Sequence, residues 1–162
     1  MHLTKVTLKN YGVYRDKVEF DLTTTPEKPV ILIGGTNGAG KTTLFESILI
    51  GFYGQSYFNK KTTRKEYEKF LGNKVHRYLG TTAAADSTSI VVDFKFHHNG
   101  ITDDYTVDRT WYDNDGRFAE ELKIKKTGSN RLLEICKKLN SDTYLSGELG
   151  INYLNEEIFS RN

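Results

Sequence analysis

Three features of this 162-residue sequence predict an α/β fold. Four apolar residues in a row, Val30-Ile31-Leu32-Ile33, read as a short strand buried on both faces, the habit of a central sheet strand. That run leads directly into a glycine-rich segment, Gly34 to Thr43, and then into apolar residues at helical spacing. From Ile90 onward, period-two alternation recurs between turn signals, as in an antiparallel sheet.

The elements follow in order. Residues 3–9 alternate, with Leu3, Lys5, Thr7 and Lys9 against Thr4, Val6 and Leu8, so they predict a strand. Asn10-Tyr11-Gly12 turns the chain, and Val18, Phe20 and Leu22 share one face of a second strand. Thr23 to Pro29 reads as a loop before the apolar run. After the glycines, Leu44, Phe45, Ile48, Leu49 and Phe52 form one helical stripe, which Gly54 stops. Thr63-Arg64-Lys65-Glu66 fits the capping box S/T-x-x-E, and Tyr67, Phe70, Leu71 and Val75 recur behind it at helical spacing. Residues 60–77 therefore predict a basic amphipathic helix. Ile90, Val92, Phe94 and Phe96 form the next strand, and Asn99-Gly100 carries a hairpin signal. Tyr105, Val107, Arg109 and Trp111 face one way on the return strand. Asp113-Asn114-Asp115-Gly116 turns again, and Leu122 and Ile124 mark a third antiparallel strand. Leu132, Cys136 and Leu139 predict a short helix.

Composition narrows the function classes. Hydrophobic residues are 37% and charged residues 27%, with only 2 Pro, which excludes a disordered or collagen-like chain. No run of 18 apolar residues exists, so no spanning helix is expected, and the first residues lack the apolar core of a signal peptide. A single cysteine, Cys136, excludes an internal disulfide framework and a cysteine zinc cage, and a reducing cytoplasm is the expected location. Charge is uneven. Residues 60–77 hold 7 basic and 2 acidic side chains, net +5, against +1 for residues 1–59 and −4 for residues 78–162. That segment, and not the chain as a whole, suits a polyanion.

Gly35-Thr36-Asn37-Gly38-Ala39-Gly40-Lys41-Thr42 matches G-x-x-x-x-G-K-[ST] at every fixed position, between an apolar strand pattern and a helix pattern. Phosphate chemistry demands these residue types. Glycines let the backbone curl so that successive N–H groups point inward, and the helix start adds partial positive charge. Lys41 reaches the β- and γ-phosphates of ATP, and Thr42 offers its hydroxyl to Mg²⁺. Thr43 completes the loop. Hydrolysis also needs an acidic residue at the end of a second buried strand. Ile90-Val91-Val92-Asp93 is rejected for that role, because the alternation continues through Phe94-Lys95-Phe96 into a hairpin. No four-residue apolar strand precedes Glu156 and Glu157. The chain thus reads as one half of an ATPase site.

The order of parts resembles the N-terminal lobe of SMC-like and RecF-like ATPases, with an ABC/SMC-type P-loop NTPase head. Within that group it is similar to the DndD-type ATPases of bacterial DNA phosphorothioation systems. The resemblance rests on Leu8-Lys9-Asn10-Tyr11-Gly12-Val13-Tyr14-Arg15, on Ile33 to Leu44, on Leu49-Ile50-Gly51-Phe52-Tyr53-Gly54 and on Arg64-Lys65-Glu66-Tyr67, and it covers roughly residues 1–125. It implies that residues 1–162 are the N-terminal lobe of a head whose C-terminal lobe and coiled coil lie elsewhere. It implies ATP and Mg²⁺ as cofactors, Arg15 near the nucleotide, and a second head completing the site in a homodimer. It also implies DNA and other phosphorothioation proteins as partners, with no membrane. ATP would clamp two heads together and hydrolysis would release them. Departing from the family pattern, residues 147–158 hold no match to its Gln-type loop, although Asn155 or Glu157 can be placed there.

Alternatives stay open. The chain suits another SMC-like DNA repair or phage-defence ATPase, a small-molecule phosphotransferase, or a lobe that binds nucleotide without hydrolysing it. Lys61, Arg64, Lys65 and Lys69 are candidate DNA-phosphate contacts, alongside Lys60, Lys74 and Arg77, with a solvated helix face as the alternative. Lys61 and Thr63 alternatively flank the adenine. His97-His98 reads as a hairpin end, since adjacent strand side chains point to opposite faces. Trp111 and Cys136 read as packed residues.

Overall fold

The computed structural model describes residues 1–58, 61–77, 85–98, 100–114 and 117–127. The expectations for Lys60, Leu132, Cys136, Leu139, Asn155, Glu156 and Glu157 fall outside these residues. Among the described residues, five strands form one antiparallel sheet: β1 (His2–Tyr11), β2 (Tyr14–Asp21), β3 (Ser87–His98), β4 (Ile101–Asn114) and β5 (Arg117–Thr127), in the order β2-β1-β3-β4-β5. The same residues hold two helices, α1 (Lys41–Tyr53) and α2 (Arg64–Lys74), with a 3-10 turn at Gly54–Tyr57, an α/β architecture.

Register follows from the turns. His98 pairs with Ile101 across the Asn-Gly hairpin, and Asn114 pairs with Arg117 across the next one. Val6 lies opposite Val92, and Val92 opposite Val107, so β-branched side chains line up in one row across three strands. The core gathers Val6, Leu8, Ile90, Val92 and Trp111 from the sheet with Leu44, Ile50, Tyr67 and Leu71 from the helices. Each such side chain, fully buried, contributes about 1.5–3 kcal/mol.

The capping box at Thr63 forms as expected. Thr63 accepts from the Glu66 backbone N–H, and the Glu66 carboxylate accepts from the Thr63 N–H at 2.7 Å. α2 buries Tyr67 and Leu71, with Val75 just beyond its end. The helix is shorter than the expected 60–77, since Thr63 and Val75 are extended and bound it on either side.

Two expectations are corrected. Val30-Ile31-Leu32-Ile33 is not a strand: it pairs with no strand among the described residues, and Leu32 is 92% exposed. A buried strand needs a neighbour for each N–H and C=O, and this run pairs with neither edge strand of the sheet, β2 or β5. The buried face of α1 is also rotated from the predicted stripe. Leu44, Ser47, Ile50 and Gly51 are buried, while Phe45 is 67% exposed. Gly51 explains the rotation. A side chain there would stand 3.0 Å from Ile90 and 3.1 Å from Val92, so the helix lies against β3 along its smallest residues.

A buried ion pair ties the layers together. Arg109 of β4 is inside the core, donating to Gly51 O at 3.0 Å and Phe52 O at 3.4 Å, the last carbonyls of α1. Its guanidinium meets Glu120 of β5 at 2.5 Å. Glu120 also accepts from the Tyr67 hydroxyl and from Arg64, both on α2. At the other end of α2, Lys74 pairs with Glu46 of α1.

Candidate phosphate-binding site at the start of α1

Two left-handed glycines shape the loop. Gly38 has φ +83°, with nothing within 4 Å of the place a side chain would occupy. Gly40, the residue before α1, has φ +96°. Residues 34–39 are exposed. The amides of Lys41, Thr42 and Thr43 have no partner within the helix, because the first turn never does. No side chain caps this helix start and its first turn holds no acidic residue. The positive end of α1 is thus left for an anion.

Lys41 lies back across the loop. Its Nζ donates to Gly35 O and to Thr36 O, each at 2.7 Å, which holds the ammonium at the loop's mouth. Thr42, beside it, is exposed. These residues fit a polyphosphate: open space at Gly38, unpaired amides, one ammonium, and one hydroxyl for a hard cation. Lys41 would hold phosphate oxygens and Thr42 a Mg²⁺ ion. The ion would supply positive charge against that of the phosphates.

The expected loop residues, Gly35 through Thr43, are brought together. Arg15 stands one residue from Tyr14, which touches Gly40; its guanidinium is exposed beside Asp16 at 3.3 Å. The basic residues of α2 separate into two kinds. Arg64, though exposed, is bound to partners in the chain itself: Glu68 at 3.0 Å, Glu120 at 3.3 Å and Phe118 O at 2.7 Å. Lys74 is likewise paired, with Glu46. Lys65 and Lys69 are exposed, with no ion pair among the described residues. With Arg77 they line a groove whose floor includes Gly72 and Phe118. The Thr63 hydroxyl donates to Glu66 at 2.9 Å, so the capping box employs the group that would flank an adenine.

Other candidates settle as sheet residues. Asp93 accepts from Thr106 Oγ1 at 2.6 Å and faces Lys5 at 3.7 Å, in mid-strand. His97 bonds Thr102 at 2.9 Å beside the hairpin. Among the described residues, no three His, Cys, Asp or Glu side chains gather to hold a metal. No helix among them is long and apolar enough to cross a membrane.

The sequence reading placed Arg15, just after the turn between β1 and β2, near the nucleotide, but it missed Gly12 and Tyr14 as the residues that touch the loop. A side chain at Gly12 would stand 2.7 Å from Thr43 Cγ2, and Tyr14 donates its hydroxyl to Gly40 O at 2.9 Å. The available signal was the glycine itself, at φ +58° with Asn10 at +50° before it, marking a turn that something approaches closely.

Residues 5–161 match the family described as AAA domain. The chain is 33% identical over 108 residues to the DNA double-strand break repair Rad50 ATPase of Archaeoglobus fulgidus, covering 66% of this chain and 9% of that protein. It is 31% identical over 62 residues to the C subunit of the nuclease SbcCD of Vibrio cholerae, covering 38% of this chain and 6% of that protein. It therefore spans less than a tenth of the length of either relative. The match along nearly the whole sequence makes this chain a member of the family described as AAA domain.

Proposed function

We propose that residues 1–162 are the ATP-binding lobe of an SMC-like ATPase that works on DNA, coupling ATP binding and hydrolysis to engagement of two heads. One observation carries the reading: an uncapped helix start behind two left-handed glycines, with Lys41 held across the loop. The relatives' names, a break-repair ATPase and a component of a nuclease, support a DNA-associated role. The exposed run Val30–Ile33 and the exposed Phe45 are apolar surface beside the loop. They suit the strands of a C-terminal lobe, which would turn the run into the central strand its sequence describes. The second head of a homodimer would supply the groups that position water, and Arg15 would stand near the nucleotide. The setting is the cytoplasm.

DNA phosphates would meet Lys65 and Lys69, with Lys61 before the helix and Arg77 after it. Arg64 belongs instead to the protein's own ion-pair network. The finer reading is a DndD-type ATPase acting with the other phosphorothioation proteins, supported by the resemblance at Arg64-Lys65-Glu66-Tyr67. Deleting the gene and measuring sulfur in purified genomic DNA by mass spectrometry tests it. Unchanged sulfur returns the chain to the broader SMC-like DNA repair or defence group.

Competition binding tests the ATP site. A phosphate cradle predicts that ATP and ADP displace a fluorescent ATP analogue while adenosine does not. Displacement by adenosine at ATP-like concentrations would place the affinity in the base and sink the reading.

A further inference from the structure

We propose that Tyr14 is a positioning residue for the phosphate loop, its hydroxyl fixing the Gly40–Lys41 peptide so that the Lys41 N–H faces the phosphates. This rests on the loop reading above and assigns a role to a residue outside the motif.

The geometry is specific. Gly40 O accepts twice, from Leu44 N at 2.8 Å, the first hydrogen bond of α1, and from the Tyr14 hydroxyl at 2.9 Å. A trans peptide is planar, and its C=O and N–H point in opposite directions. Holding Gly40 O on the helix side therefore aims the Lys41 N–H out of the helix, toward the loop's mouth. Contact is equally close. A side chain on Gly40 would stand 2.6 Å from the Tyr14 hydroxyl and 2.6 Å from Val13 Cγ2, so the turn fills the space that glycine leaves. Any other residue at 40 would push turn and loop apart.

Tyr14 is itself held firmly. Its ring meets Phe20 edge-on at 5.3 Å. The turn is tied to the end of α2: Gly12 N donates to Lys74 O, His76 N donates to Asn10 O at 2.8 Å, and His76 Nδ1 lies 2.9 Å from Gly12 O. Tyr11 is fully buried and bridges to Val75. The Tyr14 phenol is a hydroxyl donor at neutral pH, as any tyrosine is, and burial raises it further. A locked donor on a rigid turn is what a preorganised anion site needs behind it.

Tyr14→Phe tests the role, since it keeps the ring and removes only the hydroxyl. Calorimetry of the chain with Mg·ATP should show affinity falling about three- to ten-fold, the worth of one neutral hydrogen bond. Affinity for magnesium tripolyphosphate, which lacks a base, should fall by the same factor. Circular dichroism should be unchanged, because Gly40 O keeps its bond to Leu44 and α1 still starts there. In the absence of nucleotide, the Lys41 amide resonance should move while that of Ile50 stays. Unchanged affinities, or an unmoved Lys41 amide, overturn the proposal and leave Tyr14 as packing. A fall for ATP without one for tripolyphosphate also overturns it, placing Tyr14 on the base side. Lys41→Ala measured in parallel separates the two readings: if it binds like wild type, the loop assignment fails and the role of Tyr14 falls with it.

Discussion

Replacing Arg109 with methionine isolates the ion pair that joins the sheet to both helices. Methionine keeps an unbranched apolar stem of similar reach but removes the guanidinium. Arg109 is 7% exposed, and its Glu120 partner has a side chain 17% exposed, so neither is well solvated. The change removes the 2.5 Å ion pair and the hydrogen bonds to Gly51 O and Phe52 O. Breaking a buried pair by deleting one member costs about 3–5 kcal/mol, mainly because the remaining charge is uncompensated. Here Glu120 retains Arg64 at 3.3 Å and Tyr67 at 3.2 Å, so the low end, about 3 kcal/mol, applies. With a urea slope of about 2 kcal/mol/M, the unfolding midpoint should fall by about 1.5 M. Adding Glu120→Leu should recover part of the loss, because the stranded carboxylate goes with it. A loss below about 1 kcal/mol, or a double variant no more stable than Arg109→Met, would refute the reasoning and make the pair equivalent to a surface bridge.

Lys65→Glu with Lys69→Glu should reduce the slope of log DNA affinity against log salt by about 1.8 for two lost contacts, measured by fluorescence anisotropy on duplex DNA. An unchanged slope assigns these lysines to solvent. Glu66→Ala should destabilise the chain at neutral pH but not in acid. The Thr63 backbone and side-chain hydrogen bonds hold the Glu66 carboxyl below its ordinary value of 4.5. Its stabilisation is therefore full above that value and lost as pH falls through the lower folded value. Urea midpoints of variant and wild type should converge there, and a constant gap would contradict the capping role. The 162-residue chain is expected to turn over ATP negligibly in a phosphate-release assay, since the sequence reading identifies no second apolar strand ending in the acidic residue that hydrolysis needs. Turnover that Lys41→Ala abolishes would reveal a carboxylate that the sequence reading missed.

Local signals were legible wherever a few neighbouring residues decide the structure. The capping box at Thr63, the Asn-Gly hairpin and the glycine stop at Gly54 depend on backbone groups within a few positions, and all three form. The run of glycines before α1 is the same kind of signal, and a helix does open there. What failed depends on distant partners. Val30–Ile33 has the composition of a buried strand, but composition supplies no neighbours, and none pairs with it here. The stripe on α1 holds at Leu44, Ile48 and Phe52, which pack on the core, but it included the exposed Phe45 and left out Ser47, Ile50 and Gly51, the last of which lets the helix approach β3 closely. Arg109 was placed correctly on the face it shares with Val107 and Trp111. That face is buried, so its charge required an acidic partner. The register puts Glu120 opposite Trp111, two positions along from the pair of Arg109 with Leu122, and that register was the clue. Tyr14 was not legible as a site residue, because twenty-six positions separate it from Gly40.

The central claim is that the loop before α1 binds the phosphates of ATP, and Lys41→Ala tests it most directly. Isothermal calorimetry with Mg·ATP should give one site per wild-type chain. The variant should lose about ten- to a hundred-fold in affinity or more, the worth of a hydrogen bond to a charged group and the attraction behind it. Lys41 Nζ touches only loop carbonyls in the described structure, so circular dichroism and the urea midpoint should stay put. A variant that binds ATP as tightly as wild type would contradict the account.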